Sequence, residues 1–157
     1  MTTHHLTGAE EATWNLADLY AGPDDPAFDA DLDRADAEAD ALDLAYRGRI
    51  AGLSPAELAA LLGSYEALRE RAAKAGTYAT LYWTQNTEDP ARGALLQRAT
   101  ERDSRLGQKL IWFELELAHA ADDVAAGWVA APELARYRHW LEVVRLYRTY
   151  LLTEPEE

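Results

Sequence analysis

Proline-marked helix starts divide this chain into long stretches that have helical spacing. Asp25-Pro26 and Asp89-Pro90 each pair an N-cap residue with a proline in the first turn. Ser54-Pro55-Ala56-Glu57 adds a capping box, and Pro132 opens the last stretch. Apolar residues between these points recur at intervals of three and four, and no useful stretch alternates as a strand does. The sequence therefore predicts an all-α fold.

The predicted helices differ greatly in length. They cover about residues 26–46, 55–83, 90–120, 122–128 and 132–147. The second and third are each about 45 Å long at about 1.5 Å per residue. A short connector after Thr84 makes them antiparallel, and Gly48 is expected to end the first helix at C′. We therefore expect an elongated antiparallel helical bundle with two long central helices.

The apolar stripes of the first and last predicted helices specify which of their sides faces inward. The first helix carries a narrow seam, and its other residues are expected to face water. The seam comprises Phe28, Leu32, Ala35, Ala39, Leu42 and Tyr46. In the last helix the residues expected to point inward are Leu134, Tyr137, Trp140, Leu141, Val144 and Tyr147.

The charge is strongly negative and unevenly distributed. The net charge is −13, and residues 1–45 hold 12 of the 28 acids but one of the 15 bases. A protein without a basic surface is not expected to bind nucleic acid or anionic membranes.

No apolar run could span a bilayer, and residues 1–11 lack the features of a secretory signal, so a cytoplasmic location is expected. The lack of cysteine excludes disulfides and thiolate chemistry.

The histidines do not form a recognisable catalytic motif. His4 and His5 lie in an expected N-terminal tail, residues 1–13. His119 is expected at a helix end, where a positive charge is favourable, and His139 at the surface or an interface. No H-E-x-x-H sequence occurs. We therefore predict no catalytic, cofactor-binding or metal-binding residue in this chain.

Glu114 and Glu116 invite comparison with di-iron helical bundles. A spacing of two residues places the carboxylates about 200° apart on a helix, so they cannot share a site. Such bundles also need Glu-x-x-His on two helices. The sequence therefore excludes a di-iron site at Glu114 and Glu116.

Two further groups have both a structural and a functional interpretation. A positive cluster near the C-terminus either balances Glu142 and the acidic first helix, which we favour, or docks a carboxylate-bearing partner. This cluster comprises Arg136, Arg138, Arg145 and Arg148.

An aromatic set is expected to supply mainly core residues and some interface residues. Its members are Tyr78, Tyr82, Trp83, Trp112, Tyr137, Trp140, Tyr147 and Tyr150.

The last residues have the pattern of a helix start. Thr153 and Glu156 have capping-box spacing, and Pro155 sits in the first turn. The alternative is a solvated acidic tail. We favour the helix start, which would make this chain part of a longer protein.

Five segments, taken in order, resemble oligoendopeptidase F-type enzymes. Residues 14–20 (WNLADLY) resemble their W-[DN]-L-x-[DE]-L-[YF] opening, and residues 46–50 (YRGRI) their Y-[RK]-G-[RK] motif. Asp89-Pro90 fits their mid-hairpin connector. Residues 110–117 (LIWFELEL) resemble an FFELE run, and residues 137–157 resemble a YRHYLE…L[ST]EPEE segment. The resemblance spans residues 14–157.

This resemblance implies a fold, an activity and partners. The family consists of cytoplasmic zinc metallopeptidases, similar to thimet oligopeptidase, that hydrolyse short peptides. Its zinc ligands lie in a later catalytic domain, so no zinc-binding or catalytic residue carries over to this chain. Residues 14–157 would be the non-catalytic N-terminal helical lobe that walls the substrate channel, and the C-terminal catalytic domain would be its partner.

Two other expectations accompany this reading. The isolated lobe would be inactive, and it would self-associate through an aromatic face that the catalytic domain normally covers. The alternative function is a standalone helical interaction or scaffold module without peptidase activity.

Overall fold

The computed structural model describes residues 14–151, and the regular elements in that range are all helical. The α-helices are α1 (Pro26–Tyr46), α2 (Pro55–Thr84), α3 (Pro90–His119), α4 (Asp122–Ala130) and α5 (Arg138–Leu146). Short 3₁₀ turns occupy Ile50–Gly52 and Pro132–Leu134. The all-α prediction is confirmed. His4, His5 and the capping-box pattern at Thr153 lie outside the described residues.

The three long helices begin where the local sequence specifies. The side chains of Asp25 and Asp89 accept hydrogen bonds from the backbone amides two residues later, each at 2.9 Å. The backbone amide of Ser54 donates to the Glu57 carboxylate at 2.8 Å, and the Glu57 amide donates to the Ser54 hydroxyl at 3.3 Å. These bonds satisfy amide groups that a helix start otherwise leaves without partners. The predicted caps are confirmed.

Helices α2 and α3 form the predicted antiparallel hairpin. Tyr65 near the start of α2 meets Phe113 near the end of α3, and Arg92 at the start of α3 donates to the Tyr82 carbonyl at 2.8 Å. Helix α1 lies along both and buries five apolar residues of its seam, from Phe28 to Leu42. No helix in the described part of the chain is long and apolar enough to cross a membrane.

The buried side chains form two clusters along the bundle. The larger cluster centres on Trp112 and Phe113 and includes residues from all five helices. The smaller cluster joins Tyr20 to Phe28 and Tyr78 at the other end of the hairpin. Tyr20 ends the WNLADLY segment, so this segment closes one end of the core.

The sequence predicts that the polar flanks of α1 face water, but the structure shows that they contact the neighbouring helices. Six acids of α1 form ion pairs with five bases of the hairpin, at 2.5 to 3.5 Å. The pairs are Asp29–Arg98, Asp31–Lys74, Asp33–Arg102, Glu38–Arg71, and Asp36 and Asp40 with Lys109. Because the apolar seam is narrow, acids on both sides of it reach the neighbouring helices. Each exposed pair contributes about 0.2–1 kcal/mol.

The folded state should lose stability in acid because several carboxyls are ionised more readily in it. Burial raises the pKa of Asp31, but hydrogen bonds from Tyr20 and Lys74 outweigh this effect and hold the pKa below its usual value. Hydrogen bonds likewise lower the pKa of Asp25, Glu57 and Asp122. A lowered folded-state pKa stabilises the protein above the unfolded-state pKa of about 4, and this contribution is lost as the pH falls through the folded value.

We therefore expect the free energy of unfolding in urea to fall as the pH is lowered from 5 to 2.5. The variant Asp31→Asn should show a shallower pH dependence. Glu133→Gln, an exposed change in a 3₁₀ turn, serves as its control. A profile for Asp31→Asn as steep as that of the unaltered chain would contradict the role of this carboxyl.

The predicted last helix is interrupted, and this corrects the sequence analysis. Pro132–Leu134 forms a 3₁₀ turn, and α5 begins only at Arg138. Leu134 and Leu141 are nonetheless both buried in the core, as predicted. Tyr147 then falls at the C-cap of α5 and is 59% exposed, so its predicted inward position is wrong.

Gly48 ends α1 in the predicted C′ position with a φ of +75°. We expect Gly48→Ala to lower the free energy of unfolding by about 1–2 kcal/mol, because a Cβ is disfavoured in left-handed backbone. Gly127→Ala is the matched control, since Gly127 lies within α4 and nothing surrounds its added Cβ within 4 Å. It should instead stabilise the protein by about 0.5–1 kcal/mol. Urea denaturation that gives both changes the same sign would contradict the argument.

Candidate functional site

The side of the α2–α3 hairpin away from α1 is only partly covered. A groove of about 960 Å³ lies there, between α2, the turn before α5 and α5 itself. Two smaller cavities, of about 460 and 300 Å³, continue along α2 and α3. No residue of α1 lines any of the three. This open face is the candidate site for contact with another molecule or segment.

The charged groups at the mouth of the largest cavity are already paired. Arg136 Nη2 donates to both carboxylate oxygens of Glu66, at 2.6 and 2.7 Å. The Tyr137 hydroxyl donates to Glu66 Oε2 at 3.1 Å, and burial together with this bond raises the pKa of Tyr137. The three side chains fix the turn before α5 onto α2. They thereby shape the groove.

Aromatic rings form the floor beside this cluster. Tyr65 stacks on Phe113 with ring centres 4.2 Å apart, and the Trp140 ring lies 6.4 Å from Tyr65. The Tyr65 hydroxyl donates to Glu114 at 3.1 Å. Burial, reinforced by the Glu114 charge, raises the pKa of Tyr65 well above its ordinary value. Tyr65 therefore stays neutral and acts as a packed wall residue.

The four C-terminal arginines have partners other than those we expected. In place of Glu142 and the first helix, Arg136 pairs with Glu66 and Arg138 Nε donates to the Val129 carbonyl at 2.8 Å. Arg145 and Arg148 both contact Asp122. The cluster is thus dispersed over several internal contacts.

Arg145 caps the end of α3. Its Nη1 atom donates to the Ala120 carbonyl at 2.7 Å and lies 3.3 and 3.4 Å from the carbonyls of Ala118 and Leu117. Hydrogen bonds and charge from Arg148, and then from Arg145, lower the pKa of Asp122. Sequence reasoning missed this cap. The signal for it was a helix end without a C′ glycine and an arginine in a later helix.

Glu114 and Glu116 serve separate places, which confirms that they cannot share a site. Glu114 faces the groove and accepts from Tyr65. Glu116 accepts from the backbone amides of Gly48, at 2.5 Å, and Ile50, at 3.4 Å. The carboxylate thereby joins the YRGRI segment to α3.

The described residues do not fit a zinc site. His119 is the last residue of α3, as expected, and its Nδ1 lies 2.9 Å from the Leu115 carbonyl. His139 is exposed in the first turn of α5. Within residues 14–151, no three side chains of the metal-binding types come together.

Comparison with known families gives a match in the C-terminal part of the chain. Residues 116–157 match the peptidase M3 N-terminal family, described as Oligopeptidase F. Residues 116–157 are thus similar to part of the N-terminal domain of oligopeptidase F-type peptidases. This match confirms the resemblance over residues 116–157. No curated protein and no solved structure gave a match.

The matched oligopeptidase F segment includes much of the open face. It contributes Arg136, Tyr137 and Trp140 to the largest cavity. It also exposes three large apolar side chains at the end of α5: Leu146, Tyr147 and Tyr150, with exposed fractions of 73, 59 and 80%. Tyr78 and Trp112, by contrast, are core residues. The predicted aromatic set is therefore divided between the core and the surface.

Proposed function

We propose that this chain is the non-catalytic N-terminal lobe of a cytoplasmic zinc-dependent oligoendopeptidase that hydrolyses short peptides. In this proposal the helices wall one side of the substrate channel. The match of residues 116–157 to the oligopeptidase F family carries the proposal. The other segments resembling this family, which begin at Trp14, extend the similarity along the chain.

A channel wall needs rigidity rather than reactive groups, and the bundle has suitable features. The hairpin is about 45 Å long. Ion pairs to α1 brace one of its sides, and the Arg136–Glu66–Tyr137 contacts brace the other. Such a wall would act by excluding bulky substrates. The zinc ligands and the general base would belong to the catalytic domain.

The exposed apolar end of α5 is the surface we assign to contact with that domain. Leu146, Tyr147 and Tyr150 form a group of large exposed side chains within five residues. Aromatic residues are enriched in protein interfaces. Covering these side chains would remove apolar surface from water and fix the lobe in place.

The lobe-and-channel proposal is tested by substrate size selection. A reading frame that continues past Glu157 to an H-E-x-x-H sequence would supply the catalytic domain. We expect the enzyme with its lobe to cleave a fluorogenic oligopeptide and to spare a folded protein, and the catalytic domain alone to lose this discrimination. The 157-residue chain should cleave neither substrate, with or without added zinc.

Two results would contradict the proposal. One is chelator-sensitive peptide cleavage by the 157-residue chain. The other is unchanged size selection after removal of the lobe. A reading frame without the zinc motif would favour the standalone interaction module instead.

The exposed end of α5 gives a separate prediction for the isolated chain. Sedimentation should show self-association at high concentration, because apolar patches that lack their partner associate. Tyr150→Ser should weaken this association, whereas Leu44→Ser, at an exposed leucine of α1, should leave it unchanged. A strict monomer at high concentration would contradict the assignment of this surface.

A further inference from the structure

The cavities on the open face are lined by more acids than bases. The acids are Glu66, Glu70, Asp103 and Glu114, and the bases are Arg69 and Arg136. Arg136 donates to both carboxylate oxygens of Glu66, and the Arg69 guanidinium lies 3.7 Å from Asp103. Each base is thus opposite one acid, and two negative charges remain.

Glu70 and Glu114 carry these two remaining charges. Glu70 is exposed on α2 and lines the 960 Å³ cavity, whereas Glu114 is exposed on α3 and lines the 300 Å³ cavity beside it. Within residues 14–151, neither carboxylate forms an ion pair, and the group that donates to Glu114 is the neutral hydroxyl of Tyr65. A ligand with a positive side chain would complement the charge of this groove.

The aromatic rings of the same cavity favour arginine as that positive side chain. Tyr65 and the partly exposed Trp140 line it. A guanidinium stacks on aromatic faces and also pairs with carboxylates through several donors. Arg136 already shows this combination in the cavity, because its guanidinium lies 5.3 Å from the centre of the Tyr137 ring and donates to Glu66.

We propose that the groove between α2 and α5 binds an oligopeptide through an arginine side chain, which lies against Trp140 and pairs with Glu70. The cavity of about 960 Å³ is as large as pockets that hold small ligands, about 300–1,000 Å³, so a few peptide residues fit. Glu114 in the neighbouring cavity adds to the attraction for a positive ligand. The choice of a free peptide rests on the proposed function, whereas its positive charge rests on the groove alone.

Titration of the 157-residue chain with short blocked peptides tests the charge preference. The probe is a heptapeptide of alanine and leucine with a central arginine. Matched peptides carry glutamate at that position, or citrulline, which has the shape of arginine without its charge. We expect the arginine peptide to bind about fivefold more tightly than the citrulline peptide and the glutamate peptide to bind most weakly. High salt should reduce these differences.

Backbone amide chemical shifts locate the bound peptide. We expect the arginine peptide to move the signals of Gly63, Ala67 and Ala73, which line the largest cavity, and the indole signal of Trp140. The signal of Ala37, which is exposed on α1, should not move.

Glu70→Gln tests the proposed carboxylate contact. This variant should bind the arginine peptide about two- to fivefold more weakly, because one exposed charge pair is lost, and should bind the citrulline peptide as the unaltered chain does. Glu101→Gln is the matched control, because Glu101 is exposed on α3 and lines none of the three cavities. Urea unfolding verifies that both variants remain folded.

Four results would overturn the inference. They are the failure of all three peptides to bind, equal affinity for arginine and citrulline, tighter binding of glutamate, and shift changes that avoid the groove. Groove signals that move on dilution without peptide would show that a second copy is the occupant instead. Peptide binding and size selection are measured separately, so either this inference or the channel proposal can fail while the other stands.

Discussion

Phe113→Ala is expected to lower the free energy of unfolding by about 3–5 kcal/mol, which is a large part of the stability of a small protein. Phe113 is fully buried, stacks on Tyr65 and meets Trp112 edge to face with ring centres 5.7 Å apart. Its removal leaves a cavity at the centre of the larger cluster, and aromatic contacts are lost in addition to buried area. Urea denaturation followed by circular dichroism measures the change.

Leu44→Ala is the control for Phe113→Ala. Leu44 is 84% exposed on α1, so its truncation should change the free energy of unfolding by less than about 0.5 kcal/mol. Phe113→Leu provides a milder variant in case the alanine variant does not fold. A loss in Phe113→Ala no greater than that in Leu44→Ala would contradict the assigned position of this ring.

Tyr20→Ala is expected to have a comparable effect at the other end of the bundle, about 3–5 kcal/mol. The Tyr20 ring lies edge to face against Phe28 and Tyr78, with ring centres 5.4 and 5.1 Å away. The Lys74 ammonium lies 4.1 Å above the ring, and the hydroxyl donates to Asp31 at 2.8 Å. Loss of the side chain removes all of these contacts, and urea unfolding measures the result.

Tyr20→Phe separates the ring from the hydroxyl. This variant keeps the aromatic contacts and loses one hydrogen bond to a carboxylate, so we expect a loss of about 1.5–3 kcal/mol at most. Because Tyr20 and Phe113 lie in different clusters, Tyr20→Phe combined with Phe113→Leu should give additive losses within about 0.5 kcal/mol. Strong coupling would mean that the two clusters act as one core.

Local sequence was sufficient to predict the helix starts. Asp25, Ser54 and Asp89 each bond to amides within three residues, so the information for the cap lies beside it. The same is true of Gly48, whose φ of +75° is suited to glycine. The separation of Glu114 from Glu116 also followed from helix geometry alone.

Contacts between distant residues could not be predicted in this way. A 3₁₀ turn at Pro132–Leu134 and the late start of α5 at Arg138 interrupt a helix that periodicity alone predicted to be continuous. The Arg136–Glu66 pair in the groove joins residues 70 positions apart. Arg145 likewise caps a helix that ends well before it. Periodicity identifies which apolar residues share a helix face, but it gives no partner for a charged side chain.

The oligopeptidase F match begins inside α3, and this affects where the chain can be cut into fragments. The match begins at residue 116, one turn before this helix ends. Trp128, Leu134 and Leu141 lie within the matched segment, but they bury their side chains among residues that precede it. A fragment cut at this boundary would break a helix and leave these side chains without an interior. The segment that matches the family, residues 116–157, is therefore smaller than the helical bundle that it needs in order to fold.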